Sequence, residues 1–344
     1  MKIQKYRIRR IVIFVLLLTV SCRIPSAVHP TPTATRLLMA TITAPQLSST
    51  STPRLQSTTA IPSFTAMLRT PSPTTSQTVT QESPTATLPP ALPADEAVKL
   101  ILDLLRTNGN CRLPCWWGLT PGKTSAQNVE SFLETLRNTP NYFSIFDEKG
   151  GYVDLLPPSN NLIVRPRLEY RKNTNDGTLE MLSVHLDIER KLIEGGFEIA
   201  YGDPLNAQLL QLYTLPQVLS TYGKPTSVLV YGNRGMRQFN LQIAYPESGI
   251  LVNYISPLDR VGEQYSECPS QAYPTFWLWP AEHKYTPSEV VSIQLGEGIG
   301  QEWLADFLPI EEATSLTIDD FYTIFKNAQS ATCIETPVEL WPVP

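Results

Sequence analysis

Three consecutive stretches decide the fold: Leu162-Ile163-Val164-Arg165-Pro166-Arg167-Leu168-Glu169-Tyr170-Arg171, the segment from Asn173 to Gly177, and Leu182-Ser183-Val184-His185-Leu186-Asp187-Ile188. In the first, Leu162, Val164, Leu168 and Tyr170 alternate with Ile163, Arg165, Arg167, Glu169 and Arg171. In the last, Leu182, Val184, Leu186 and Ile188 take one side, and Ser183, His185 and Asp187 the other. Strand side chains point alternately to opposite faces, so this period of two predicts strands with one buried and one wet face. The Asn- and Gly-containing stretch between them is turn chemistry, and the whole reads as an antiparallel hairpin.

The flanks change period. Residues 94–106 carry Val98, Ile101, Leu102 and Leu105 at helical spacing, with Asp95 as the expected N-cap and Asn108-Gly109-Asn110 as the stop. Residues 125–137 repeat the pattern with Val129, Phe132, Leu133 and Leu136, and Thr124 or Ser125 as cap. A third helix starts near Thr214-Leu215-Pro216, carries Val218 and Leu219, and meets Gly223 as its C-terminal cap. Strands are predicted over 227–231, 239–245, 250–255 and 276–279. Helices are predicted over 287–294, 301–307 and 318–328, the last capped by Thr317 with Asp320. Strict strand–helix–strand alternation is absent, so the class is α+β: short helices packed on antiparallel sheet.

The pattern occurs twice. Gly118-Leu119-Thr120-Pro121 leads into a helix and a hairpin. Tyr213-Thr214-Leu215-Pro216 leads into a helix, then Tyr222-Gly223-Lys224-Pro225, then strands. Two related repeats are expected at about 111–190 and 200–260, with a C-terminal extension over 261–344. The second resembles the small SmpA/OmlA-type lipoprotein domains of the outer membrane, in which a short helix ends in Gly-x-Pro before a sheet. The stretch from Cys111 to Thr124 is similar to a signature of uncharacterised bacterial surface lipoproteins, a resemblance that implies no activity.

The first 95 residues give an address. Lys2, Lys5, Arg7, Arg9 and Arg10 precede an unbroken apolar run from Ile11 to Val20, then Ser21-Cys22. A basic start, a short apolar stretch and a small residue at the cut make a signal peptide. The run is shorter than the about 20 residues that span a bilayer. Leu18-Thr19-Val20-Ser21-Cys22 resembles a bacterial lipobox, whose cysteine is acylated and becomes the new N-terminus; Thr19 stands where that motif has Leu. Residues 1–22 are thus expected to be a lipoprotein-type leader ending at Cys22, the lipidation site. Residues 23–95 are roughly half Ser, Thr or Pro. Such a chain buries too little apolar area to offset its ordering entropy, and is expected to be a disordered tether reaching about 45–50 Å as a coil. The globular region is 96–344.

Charge divides the same way. The leader carries five basic residues and the tether four Arg against Glu82 and Asp95, while residues 96–344 hold 18 basic and 30 acidic side chains. An acidic folded region argues against nucleic acid as partner, because that binding needs clustered cations. Gly118 to Thr124 ends in Gly-Lys-Thr, but the spacing between its glycines is one residue short of a phosphate loop and Pro121 lacks a backbone donor, so nucleotide is not expected either.

Besides Cys22 there are four cysteines. In an exported domain an even set reads as disulfides, with Cys111–Cys115 and Cys268–Cys333 favoured over the two other connectivities. The first pair is close enough to bridge around Arg112-Leu113-Pro114; the second would close a long loop. Zinc is the alternative, with atypical spacing and no nearby histidine. Ser183, His185 and Asp187 share a strand face, where i and i+2 neighbours are expected to stand apart rather than form a nucleophile–base–orienter chain. Trp277 and Trp279 share a face and Trp116-Trp117 follow a cysteine, either as glycan platforms or as core. Arg165, Arg167 and Arg171 could receive an acidic partner or simply be solvated.

The expectation is a non-catalytic lipoprotein with no cofactor and no metal. Its membrane contact is the lipid on Cys22, and its globular part binds or scaffolds an unknown envelope protein or glycan at the bacterial cell surface. The alternatives are an extracytoplasmic solute- or glycan-binding lipoprotein, which should show two lobes around a cleft, and a surface hydrolase, which should show a histidine-centred hydrogen-bond chain.

Overall fold

The structure is a computed structural model and describes residues 89–159, 162–192, 196–295, 303–327 and 332–341. The leader, Cys22 and the tether up to residue 88 lie outside the described residues. The described residues belong to a single compact unit, 80–344.

Its class is α+β. Helix α1 (Ala94–Thr107) and helix α2 (Ala126–Thr135) precede a run of strands: β1 (Phe143–Phe146), β2 (Gly150–Asp154), the two-residue β3 (Pro158–Ser159), β4 (Leu162–Lys172) and β5 (Leu179–Lys191). After β6 (Phe197–Ile199), helices α3 (Pro204–Leu209) and α4 (Leu215–Tyr222) precede a second run: β7 (Ser227–Asn233), β8 (Gln238–Tyr245), β9 (Ile250–Pro257) and β12 (Tyr273–Leu278). Between β9 and β12 lie β10 (Asp259–Val261) and β11 (Gln264–Glu267). The C-terminal part holds α5 (Pro287–Leu295), β13 (Leu308–Pro309), α6 (Ile310–Ala313), α7 (Ile318–Phe325) and β14 (Ile334–Pro337).

One sheet unites both runs in the order β1-β2-β4-β5-β12-β9-β8-β7-β13, with β3 beside β4 and β6 beside β5. Each run walks from the outer part of the sheet to its centre, the second starting at β7 beside β13. The two fourth strands, β5 and β12, pair antiparallel there, Val184 opposite Phe276. The halves are therefore related by a rough two-fold axis through this seam. The second run reaches Leu278, because β10 and β11 are inserted before its last strand. With β14 they form a separate three-stranded sheet, β10-β11-β14.

The buried strand faces are those the alternation marks. Leu162, Val164, Leu168 and Tyr170 of β4, Leu182, Val184, Leu186 and Ile188 of β5, and Phe239, Leu241, Ile243 and Tyr245 of β8 join one core with both helical layers. Trp116 lies in it, stacked on Tyr213 at 4.7 Å and 5.7 Å from Phe276. Trp117 is buried there too. The tryptophans after Cys115 are thus core, each removing a large area from water.

Helix α1 starts at Ala94 after Pro93, not at an Asp95 cap; Asp95 sits in the first turn, where a carboxylate faces the positive end of the helix dipole. Its buried stripe is Ala97, Ile101, Leu104 and Leu105, with Val98 and Leu102 at the margin. Asn108 ends it in the left-handed region at φ 52° and is itself buried. Its side chain ties down the next loop: Nδ2 donates to the carbonyls of Cys111 and Cys115, both at 2.9 Å, and Oδ1 accepts from Trp117 N at 3.0 Å. Ser125 caps α2, accepting from Asn128 N at 3.2 Å. Gly223 ends α4 with φ 82°, a conformation side chains resist. Thr317 and Asp320 form a reciprocal capping box on α7. Residues 301–302 and 328, at the ends of two predicted helices, lie outside the described residues.

Candidate functional site

The sheet's second face carries the side chains of interest. Directly paired residues share a face, so the register gives a row across eight strands: Leu229, Gln242, Asn253, Thr275, His185, Arg167, Asp154 and Phe143. A parallel row two residues on runs Ala244, Leu251, Trp277, Ser183, Glu169, Tyr152 and Ile145. The first row is polar from Gln242 to Asp154.

This face is only half wet. Val290 and Val291 of α5 form a second apolar cluster with Met181, Ala244, Leu251, Trp277 and Trp279, covering the middle of the sheet. Ser183, Thr275, Gln242 and Asn253, on the same face, are buried as well. The expectation of a uniformly solvated face fails here, because the strand pattern cannot show that a helix starting only at Pro287 folds back over it. Trp277 and Trp279 do share a face, as packing within this cluster rather than as an open aromatic platform. On the open half, over β1, β2 and the outer part of β4 and β5, Arg165, Arg167, Glu169 and Glu189 are partly exposed while Asp154 is buried among them.

Those groups are held in place. Arg165 Nε donates to both oxygens of Asp154 at 3.2 Å, and its Nη1 donates to Glu189 Oε1 at 2.9 Å. Its Nη2 lies 3.1 Å from Asp154 Oδ2. Planar contacts of this kind fix orientation as well as charge. Arg167 lies over the Tyr152 ring, 6.0 Å from its centroid. Arg171 donates to the Ile293 carbonyl, so it anchors the end of α5 instead of facing solvent. Burial is the main cause that raises the carboxyls of Asp187 and Glu169 above their usual range. A cleft of about 400 Å³ opens at this end, lined by Ile145, Tyr152, Glu169, Arg171, Ile293 and Gln294.

His185 is held at both nitrogens. Ser183 Oγ lies 3.1 Å from Nε2 and Thr275 Oγ1 lies 3.2 Å from Nδ1. The expectation that Ser183 and His185 stand apart is wrong: the imidazole is long enough to reach the hydroxyl two residues back along the face. The contact still lacks the geometry of catalysis. Ser183 is 0% exposed, so no substrate carbonyl can reach its oxygen. The second nitrogen meets a hydroxyl, not a carboxylate, and Asp187 is not the orienter. Burial first, then the charge of Arg167, holds the imidazole neutral, with its pKa lowered from 6.5 to about 4. His283 is used differently: its carbonyl accepts from Trp279 Nε1 at 2.7 Å.

Cys111 pairs with Cys115 and Cys268 with Cys333 as disulfides. These bonds place the fold in an oxidising compartment and leave no thiolate among the four for zinc. Among the described residues no cluster of three or more His, Cys, Asp or Glu could hold a metal, and no helix is long and apolar enough to cross a membrane. The Gly118–Thr124 loop is spent on structure. Gly122 N donates to the Leu179 carbonyl and Leu179 N to that of Thr124, both at 2.7 Å, which sews the loop to the start of β5.

Asp154, Thr275, Asn253 and Gln242 complete the row beside Arg167 and His185, and Glu189 joins Arg165 next to it; none is legible as a site residue in sequence, since only the strand register brings them together. Comparison with protein-family models, curated proteins and solved structures returns no match.

Proposed function

We propose that the chain is a non-catalytic envelope lipoprotein, anchored through Cys22 and held off the membrane by its Ser/Thr/Pro-rich tether, with the open half of the second sheet face as its binding surface. The observation that carries this reading is the fixed charged lattice of Arg165, Asp154 and Glu189, flanked by half-exposed Phe143 and Ile145. Prearranged Arg and aromatic groups lose little conformational freedom on contact, which is what a recognition surface needs. Ser183, which meets His185, is 0% exposed, which favours binding over hydrolysis.

A small-solute or glycan site is the second reading, supported by the cleft beside Tyr152, Glu169 and Gln294. Pockets that hold small ligands start at about 300 Å³.

The test has two arms. Labelled fatty acid should enter the wild-type chain and not Cys22→Ser, which should leave the membrane fraction. Separately, a photo-crosslinker placed at Tyr152 should capture an envelope component that is lost with Arg165→Glu. Equal capture by both chains would remove the surface assignment, and a wild-type chain that takes up no label would remove the anchor.

A further inference from the structure

The sheet's two outer edges are equivalent by the two-fold relation of the runs, yet among the described residues only one is protected. On the second run, β7 receives β13 on its outer side, Leu308 opposite Val230 and Pro309 opposite Leu229. Phe307 and Trp341 pack against Tyr231 of the same strand, with ring centroids at 5.4 and 6.2 Å. On the first run, β1 ends the sheet, and among the described residues nothing pairs with its outer side.

Edge strands are usually guarded by a charge, a proline, a bulge or a covering element. β1 reads Phe143-Ser144-Ile145-Phe146 and has no charge and no proline. Phe143 is 53% and Ile145 56% exposed, and both stand on the second face. An uncovered backbone ladder edged with exposed apolar side chains is a site for an added strand.

We propose that two copies of this chain pair antiparallel through β1, which continues one sheet across a dyad. This goes beyond the binding surface described above and does not depend on it. The tether is a poor occupant, since its recurrent prolines cannot donate to a ladder. A second copy fits the chemistry. An uncharged strand meets itself about a two-fold axis without like-charge repulsion. A register centred on Ser144 sets Phe143 opposite Ile145 of the partner subunit, and Asp147 and Glu148 opposite Asn141 and Pro140 of the partner subunit, not opposite acids. The exposed apolar side chains of both copies then form one band. It continues into Tyr152, whose ring lies edge-on to Phe143 at 6.1 Å. Pairing of one patch with itself is the isologous contact of two-fold dimers, which close and stop.

The experiment is sedimentation velocity on the full chain carrying Cys22→Ser, so that no acyl group drives association. The expected result is a species of twice the chain mass. Ile145→Lys should shift the dissociation constant at least tenfold towards monomer, whereas Met236→Lys, an equally exposed apolar site in the β7–β8 turn, should leave it unchanged. Should Ile145→Lys lose its far-ultraviolet dichroism, Phe143→Ser reads the same edge. A parent chain that stays monomeric up to its solubility limit overturns the proposal, and so does a folded edge variant that dimerises as well as the parent.

Discussion

Glu267 sets a pH limit on this fold. It lies on β11, 1% exposed, with Oε1 accepting from Ser256 Oγ at 2.7 Å and Oε2 without a partner. Burial, only partly offset by the Ser256 hydrogen bond, pushes its carboxyl from 4.5 up to about 8. An acid whose pKa is raised by folding binds more protons in the folded chain than in the unfolded one. Stability is then untouched below 4.5 and falls as pH rises through the window up to about 8. With ~1.4 kcal/mol for each tenfold difference in proton affinity, the full cost approaches ~5 kcal/mol on the alkaline side. His185 works in the opposite sense below 6.5, so the clean interval lies above that value. There the loss attributable to Glu267 is about 2 kcal/mol between pH 6.5 and about 9. Glu267→Gln keeps an acceptor for Ser256 and cannot ionise. Urea unfolding followed by tryptophan fluorescence should show wild-type stability falling across this interval and the Gln variant staying level. The Gln variant should also be the more stable chain at the alkaline end. Parallel slopes for the two chains would refute the reasoning.

Three further outcomes follow from other contacts. Asn108→Ala removes three hydrogen bonds from the Cys111–Cys115 loop and puts alanine at positive φ, and should cost about 2–4 kcal/mol in a thermal melt, whereas Asn138→Ala, an exposed site with one bond, should cost under about 1. Replacing Cys268 and Cys333 by Ser should destabilise by about 4 kcal/mol, against about 2 for Cys111 and Cys115, because the loops closed in the unfolded chain differ so much in length. His185 is neutral when folded and titrates normally when unfolded, so its contribution is present above pH 6.5 and lost as pH falls towards about 4; NMR should find its ring uncharged at pH 5.5, and a charged ring at that pH would contradict burial as the cause of its lowered pKa.

The central hairpin is legible in sequence because its signal is local: eleven residues alternating on one strand and a turn of Asn and Gly. The same holds for Gly223 and for the Thr317–Asp320 box, where cap chemistry acts within one helical turn. Strands β1 and β2 escape this reading, since Phe143 to Phe146 is too short to show a period and Gly150-Gly151 looks like a turn. Gly151 is needed for packing instead: a Cβ there would crowd the rings of Phe146 and Tyr170. The site depends on register. Nothing near Arg165 in sequence announces Asp154 or Glu189, 11 and 24 residues away. The cover is less legible still, because Val290 and Val291 show only an ordinary apolar pair until their partners on β5, β8, β9 and β12 are known.

The seam between β5 and β12 has a consequence for how the chain acquires its structure. Contacts within each run are mostly between neighbours in sequence, whereas the Thr275–His185 contact across the seam spans 90 residues. Closing so long a loop is entropically dear and slow compared with forming a meander. Emerging N-terminus first, the helices and strands up to Lys191 can collapse while the second run is still being delivered, and they must wait with the inner edge of β5 unpaired. Until β12 arrives, that edge is an aggregation-prone surface of the growing chain, and a chaperone or a second nascent copy would find it before the native partner does.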